Sequence, residues 1–451
     1  MSQALFYGTV IHTPNRESLE IWPNTILTVS PSGDIILLEP DASWERFTEL
    51  AETMKEACVH VLPRQSFLMP GFIDTHIHAP QYRFTGTAQD TTLLDWLNTY
   101  TFPQEAKFRD TAVAHRVYEA CVKRTLHRGT TTAAYYATMH VESSKILVNT
   151  MLRWGQRGWV GKVCMTWNSP EYYCETQEEA IHGSLELVQH VHAVQQNTMM
   201  VDACITPRFG PSCTLDTLGA LGKLAREYNL PVQSHVSENR NEVAWVKQLF
   251  PMASSYTDLF AQTGLLTART VLGHGVYLSD KEVEMLASNG SSIAHCPVSN
   301  FGLKSGICSV RRLWKHGVKV GLGTDVSGGY AYGILPVIRQ ASIASRVLEM
   351  NADSADLEKI PETRALRLEE LVYLATLGGA QAMGLDDRIG SFAVGKQFDA
   401  LWINPDGKDT PVDVFGWETQ REVFEKFIYL GDDRNIERVF VNGRQVVPFN
   451  M

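Results

Sequence analysis

No run of apolar residues in this chain approaches the roughly 18 that a membrane-spanning helix needs, so nothing in the sequence points to a helical span. Its eight cysteines (Cys58, Cys121, Cys164, Cys174, Cys204, Cys213, Cys296 and Cys308) include no Cys-x-x-Cys pair, and several lie in apolar runs such as Val163-Cys164-Met165. That pattern excludes a disulfide framework and predicts reduced, buried thiols. Positive charge is also in short supply. With 40 Lys and Arg against 50 Asp and Glu, the formal charge of −10 argues against nucleic acid or an anionic membrane as the main partner. The first residues, Met1 to Tyr7, lack the basic segment and long apolar core of a signal peptide. The expectation is a cytoplasmic protein acting on a small molecule.

What is present is a chain of 451 residues, 44% hydrophobic and 20% charged, which is enough for one large domain and a smaller one. Residues 4–66 carry β-type runs (Leu5 to Ile11, Thr25 to Val29, Ile35 to Leu38) separated by turn signals such as Pro31-Ser32-Gly33-Asp34. The other end repeats the pattern: Phe398 to Ile403 and Glu437 to Val441 lead through Asn442-Gly443, a hairpin signal, into Gln445-Val446-Val447. Two β pieces at opposite ends predict one discontinuous domain, residues 1–68 with 388–451. Between them, β-type segments near 71–78, 130–137, 160–168, 201–208, 231–238, 270–278, 291–297 and 318–325 alternate with helical periodicity. One helical stripe runs from Val113 to Leu126, with Gly129 as its stop. Eight such alternations predict an α/β fold in which residues 69–387 form a (β/α)8 barrel. The first interval is the longest. Its aromatics Tyr82, Phe84, Trp96, Tyr100 and Phe102 are read chiefly as core for the extra segment, which itself forms a wall or lid over the rim.

The most informative stretch is Pro70-Gly71-Phe72-Ile73-Asp74-Thr75-His76-Ile77-His78. Residues i and i+2 of a strand point the same way, so His76 and His78 are able to close on one metal ion. Three later β-type segments also end in ligand-type residues: His235 followed by Ser237-Glu238, His274 followed by Gly275, and Asp325 followed by Ser327-Gly328-Gly329. Parallel strands of one barrel end on one rim, where these side chains converge. Imidazoles and a carboxylate with an open position suit a catalytic Zn²⁺ or Fe²⁺.

The Pro70-to-His78 motif, His235, His274 and the terminal Gly323-Thr324-Asp325 resemble the amidohydrolase superfamily of metal-dependent hydrolases and deaminases. Within it, His78-Ala79-Pro80-Gln81-Tyr82, Thr206-Pro207-Arg208-Phe209, Ser234-His235-Val236-Ser237-Glu238-Asn239 and Leu430-Gly431-Asp432-Asp433-Arg434-Asn435-Ile436 resemble its guanine-deaminating branch. The resemblance covers essentially the whole chain. It implies one Zn²⁺ per subunit held by His76, His78, His235 and Asp325, with His274 either a further ligand or a hydrogen-bond donor to the zinc-bound water. It also implies a homodimer, and a barrel paired with a small β-sandwich domain formed from the N- and C-terminal segments. Relatives with two metals add a carboxylated lysine at the end of the fourth strand, and Val201 to Arg208 contains no lysine.

Zinc lowers the pKa of a bound water from 15.7 to about 7, and Asp325 is placed to accept its proton or orient it. Glu238, just past a strand end, is the expected general acid/base, carrying the proton to a ring nitrogen and then to departing ammonia. The His-x-Glu and Pro-Cys-x-x-Cys elements of the other zinc deaminase architecture are absent. For guanine the attack falls on C2 and leaves xanthine. The expected substrate-binding residues are His78, Gln81, Arg208, Phe209, His235, Glu238 and Asp325, with Arg208 and Gln81 matching the O6/N7 edge and Phe209 the ring face. Alternatives stay open: a helix cap for Glu238, a structural ion pair for Arg208, core packing for Phe209. Other open readings are a triazine, pterin or adenosine-derived thioether as substrate, or a metal-free scaffold. His295 is read as structural or as a support behind the ligands, and His127, His140, His190 and His192 as solvated.

Overall fold

A computed structural model of the chain describes residues 2–195, 199–352 and 361–449. At the N-terminal end, β1 (Ala4–His12) pairs antiparallel with β2 (Glu20–Val29), which pairs with β3 (Ile35–Glu39); β4 (Cys58–Val61) and β5 (Phe67–Pro70) run parallel to β1. Alternation along β1 gives the sheet two apolar faces. Leu5 packs with Ile26 and Phe47 on one side, and Phe6 with Leu27 and Phe398 on the other. Phe47 belongs to a helix, Trp44–Thr53, inside what the sequence reading treats as a β unit. The Ser43 hydroxyl caps it by accepting from Arg46 N, and Phe47, Leu50 and Ala51 form its apolar stripe.

The middle of the chain contains β6 (Phe72–His78), β7 (Thr130–Tyr136), β8 (Arg157–Gly161), β9 (Val163–Cys164), β10 (Val201–Ala203), β11 (Thr206–Pro207), β12 (Val232–Val236), β13 (Thr270–His274), β14 (Ser292–His295) and β15 (Lys319–Leu322). All pair in parallel: β10-β8-β7-β6 in one sheet, β12-β13-β14-β15 in another, and β9 with β11. The third and fourth expected strands are each broken in two. At the first break Lys162 turns its ammonium to Glu175, 2.7 Å away and equally buried. A parallel bridge between Ile205 and Val232 links the fourth segment to β12. On the far side Asp325 N donates to His76 O (2.9 Å) and His78 N to Val326 O (3.2 Å), so the chain after β15 runs beside β6. The helix after β6 runs over Thr111–His127, started by the Asp110 side chain and ended where Gly129 takes a φ of 81°.

Towards the C-terminal end, β16 (Ala400–Ile403) pairs antiparallel with β5, and β17 (Ile436–Val441), which follows a helix over Gln420–Leu430, with β16. Asn442 and Gly443, at φ of 49° and 76°, turn the chain into β18 (Arg444–Val447) as the Asn-Gly signal predicts. Both ends of the chain therefore build one eight-stranded sheet. The insertion after β6 is a string of short helical turns in which Phe84, Trp96 and Phe102 are buried in one cluster with Tyr136 and Phe209. No helix among the described residues is long and apolar enough to cross a membrane.

Candidate active site

Four of the expected ligands meet. Nitrogens of His76, His78 and His235 and an oxygen of Asp325 all lie within 4.8 Å of one another. Strand β6 supplies the first two from one face, β12 the third, and the loop after β15 the fourth. Asp325 Oδ1 is 3.3 Å from His76 Nε2 and 3.4 Å from His78 Nε2, and the Nε2 atoms of His78 and His235 are 3.1 Å apart. Glycine makes the convergence possible: a Cβ on Gly273 would stand 2.7 Å from His76 Cε1, and one on Gly323 2.7 Å from His76 Cβ. Asp74, fully buried, steadies both sides by accepting from the backbone of His76 and from Thr324 N and Oγ1.

Buried polar groups are normally hydrogen-bonded, yet both ring nitrogens of His76, Nδ1 of His78 and Nε2 of His274 have no hydrogen-bond partner. Burial pushes His76, His78 and His235 below the usual imidazole value, which keeps the rings neutral with a lone pair to give. Burial by itself would raise Asp325, but His76, His274 and His78 reverse it and hold the carboxyl well below the usual range. Orphaned, neutral imidazoles around an ionised carboxylate fit a divalent cation.

His274 stands outside that group of four. Its Nδ1 faces Asn300 Oδ1 at 2.9 Å, while Nε2 lies 3.4 Å from Glu238 Oε2 and 3.9 Å from Asp325 Oδ2. Burial would lower it, and these acidic neighbours raise it instead. Glu238 accepts from the Ser305 hydroxyl at 2.9 Å. Burial, against the pull of His274, raises its carboxyl to about 7. It does not cap the next helix; Asn239 and Glu242 form that capping box.

A cavity opens over these groups, lined by Gln81, Trp96, Arg208, Phe209, Glu238 and Leu303 among others. Arg208 is both a pocket residue and half of a buried ion pair: its Nη1 and Nη2 donate to Glu105, whose carboxylate also receives Gln81 Nε2 (3.0 Å) and the Tyr173 hydroxyl (2.9 Å). Phe209 is buried edge-on to Trp245 and still lines the cavity. Glu105, Asn300, Ser305 and Asp74 escape the sequence reading. Asp74 had a signal, an acid inside an apolar strand; Glu105 had only its place between Phe102 and Phe108. His295 is buried away from the ligand group, with burial taking it down to about 3. His127 and His192 are exposed, whereas His140 and His190 are half-buried, the latter bonded to Asn149, which corrects the solvated reading for both.

The amidohydrolase family model matches residues 67–446. A guanine deaminase of Mus musculus is 47% identical over 99% of this chain and 97% of its own length, and one of Escherichia coli 37% identical over 86% and 84%. Among solved structures, a guanine deaminase from C. acetobutylicum with guanine bound in its active site superposes with a TM-score of 0.87 at 33% identity, covering 98% of this chain and 99% of that one.

Proposed function

We infer that this chain, which belongs to the amidohydrolase family, is a guanine deaminase that hydrolyses guanine to xanthine and ammonia. The observation that carries this is one cavity uniting the His76, His78, His235 and Asp325 group, the Glu238 carboxyl and the Arg208–Gln81 donors, in a chain matching guanine deaminases end to end. We read the parallel strands as a (β/α)8 barrel over residues 69–387 and the terminal sheet as the discontinuous domain of residues 1–68 and 388–451. The Ile205–Val232 bridge, which joins the two four-stranded sheets in mid-series, and the Asp325–His76 bond, which joins the first strand to the chain after the last, support closure.

The ligand set suits one Zn²⁺ per subunit, held by His76, His78, His235 and Asp325, which would supply Lewis acidity and hydroxide near neutral pH. The protein's own groups do the rest. Glu238, with its carboxyl near 7, is able to take a proton from the attacking water and return it to a ring nitrogen and then to ammonia. One of its oxygens is held by Ser305, leaving the other toward His274. Asn300 fixes the His274 ring, so its Nε2 is aimed between Glu238 and Asp325; we assign it to orienting the water. Arg208 and Gln81 donate to the O6/N7 edge while Phe209 covers the ring face. Free cysteines, six of them buried, support a reducing cytoplasmic setting in purine catabolism, and the homodimer rests on the family resemblance. The test is ammonia release from guanine by purified, zinc-loaded protein. A folded, metal-loaded protein that leaves guanine untouched and deaminates another heterocycle would reject this substrate.

A further inference from the structure

Glu105 has no exposed surface and does not line the cavity, yet it gathers two residues that do. Its Oε1 accepts from Gln81 Nε2 (3.0 Å) and Arg208 Nη2 (3.1 Å), and its Oε2 from the Tyr173 hydroxyl (2.9 Å) and Arg208 Nη1. An ionised carboxylate only accepts, so all four partners must donate. For Gln81 this decides which end of the amide faces Glu105. A second bond decides it the same way: Ser327 N donates to Gln81 Oε1 at 2.9 Å. With its carbonyl on Ser327 and one N–H on Glu105, Gln81 has its second N–H left for the pocket, and Arg208 has nothing but N–H groups.

We propose that Glu105 is a specificity-determining positioning residue, which turns Gln81 and Arg208 into an all-donor clamp. The pocket then takes a purine whose facing edge is all acceptor, a 6-oxo group beside N7, and refuses a 6-amino group, which would set donor against donor. The inference rests on reading the cavity as a purine site. It gives the inserted segment after β6 a task besides covering the rim: it anchors the recognition fork across the mouth of the strands.

The test is calorimetric binding of hypoxanthine and adenine to the zinc-loaded protein, since neither purine has a 2-amino group to lose. Wild type should bind hypoxanthine tighter than adenine by roughly tenfold or more. Glu105→Gln places an N–H₂ among the donors and releases Gln81 to turn. Its preference should shrink to about threefold or less, with zinc content near wild type and a melting temperature lowered by the uncompensated Arg208 charge. Glu105→Asp keeps an acceptor-only group and should keep the preference. An unchanged preference in Glu105→Gln, equal behaviour of the Gln and Asp variants, or no preference in wild type overturns the proposal. Should Glu105→Gln fail to fold, a crystal structure of wild type with hypoxanthine decides. Gln81 Nε2 and Arg208 should both lie within hydrogen-bond distance of purine acceptors, and a purine meeting the Gln81 carbonyl sinks the idea. Ammonia release from guanine by wild type, measured beside these, separates failure of this inference from failure of the functional reading.

Discussion

Among the described residues two arginines are buried against a carboxylate, and their surroundings differ. Arg157, the first residue of β8, donates from Nε and Nη2 to Asp399. Asp399 also takes Asn442 N on its side chain and Gly71 N on its carbonyl, so the pair joins the parallel strands to the terminal sheet through structural partners alone. Arg208 meets Glu105 end-on, through Nη1 and Nη2, but there the carboxylate collects Gln81 and Tyr173, and two of the donors line a cavity. Residue type does not tell a staple such as Arg157 from the reading head proposed for Arg208. What the carboxylate's remaining valences hold does.

The largest effect expected at the rim, with none at the terminal sheet, comes from Glu238→Gln. It keeps shape and removes the base, so guanine turnover should fall roughly 10²-fold or more with zinc content unchanged. Near-normal turnover would remove Glu238 from the mechanism.

The two arginines test the comparison itself. Arg157→Ala strands Asp399 and should cost about 3–5 kcal/mol of stability, read by denaturant titration, while kcat/KM of the folded enzyme stays near wild type. Arg208→Ala strands Glu105 at a similar cost in stability. It should also lose guanine kcat/KM by about one to two orders of magnitude, and more for guanine than for 2-aminopurine, which lacks O6. Equal losses for both purines would make Arg208 a second Arg157.

The smallest effect belongs to a buried histidine of the terminal sheet. Burial, helped by Lys396, lowers His12 to about 4, and its Nδ1 accepts from Phe392 N. Its folded pKa lies below the unfolded value of about 6.5, so the unfolded chain gains a proton first as pH falls. The stability this neutral ring contributes is complete above 6.5 and lost as pH falls toward 4. Between pH 6 and 5 the loss should be roughly 1 kcal/mol, and His12→Gln should flatten that part of the profile without touching turnover at neutral pH.

The sequence makes visible what strand periodicity and local order encode. His76 and His78 share a face because they are two apart, and His235, His274 and Asp325 each follow a β-type run. Asn442-Gly443 announces its own turn. Glu105 is different: its partner Arg208 is 103 residues away, and nothing near position 105 states which donors it will meet. The same holds for Asn300 under His274 and Ser305 on Glu238. The helix Trp44–Thr53 was hidden among β-type neighbours, although Ser43 and the Phe47, Leu50, Ala51 stripe carried its signal.

We propose that the rim group, with one metal ion, carries the chemistry. Its most direct test is guanine turnover as zinc is added back to chelated protein, beside a His76→Ala/His78→Ala variant treated identically. The expected result is no turnover without metal, a linear rise that breaks at about one equivalent, and no recovery in the variant. Turnover by metal-free protein, a break at about two equivalents, or full recovery in the variant would contradict it.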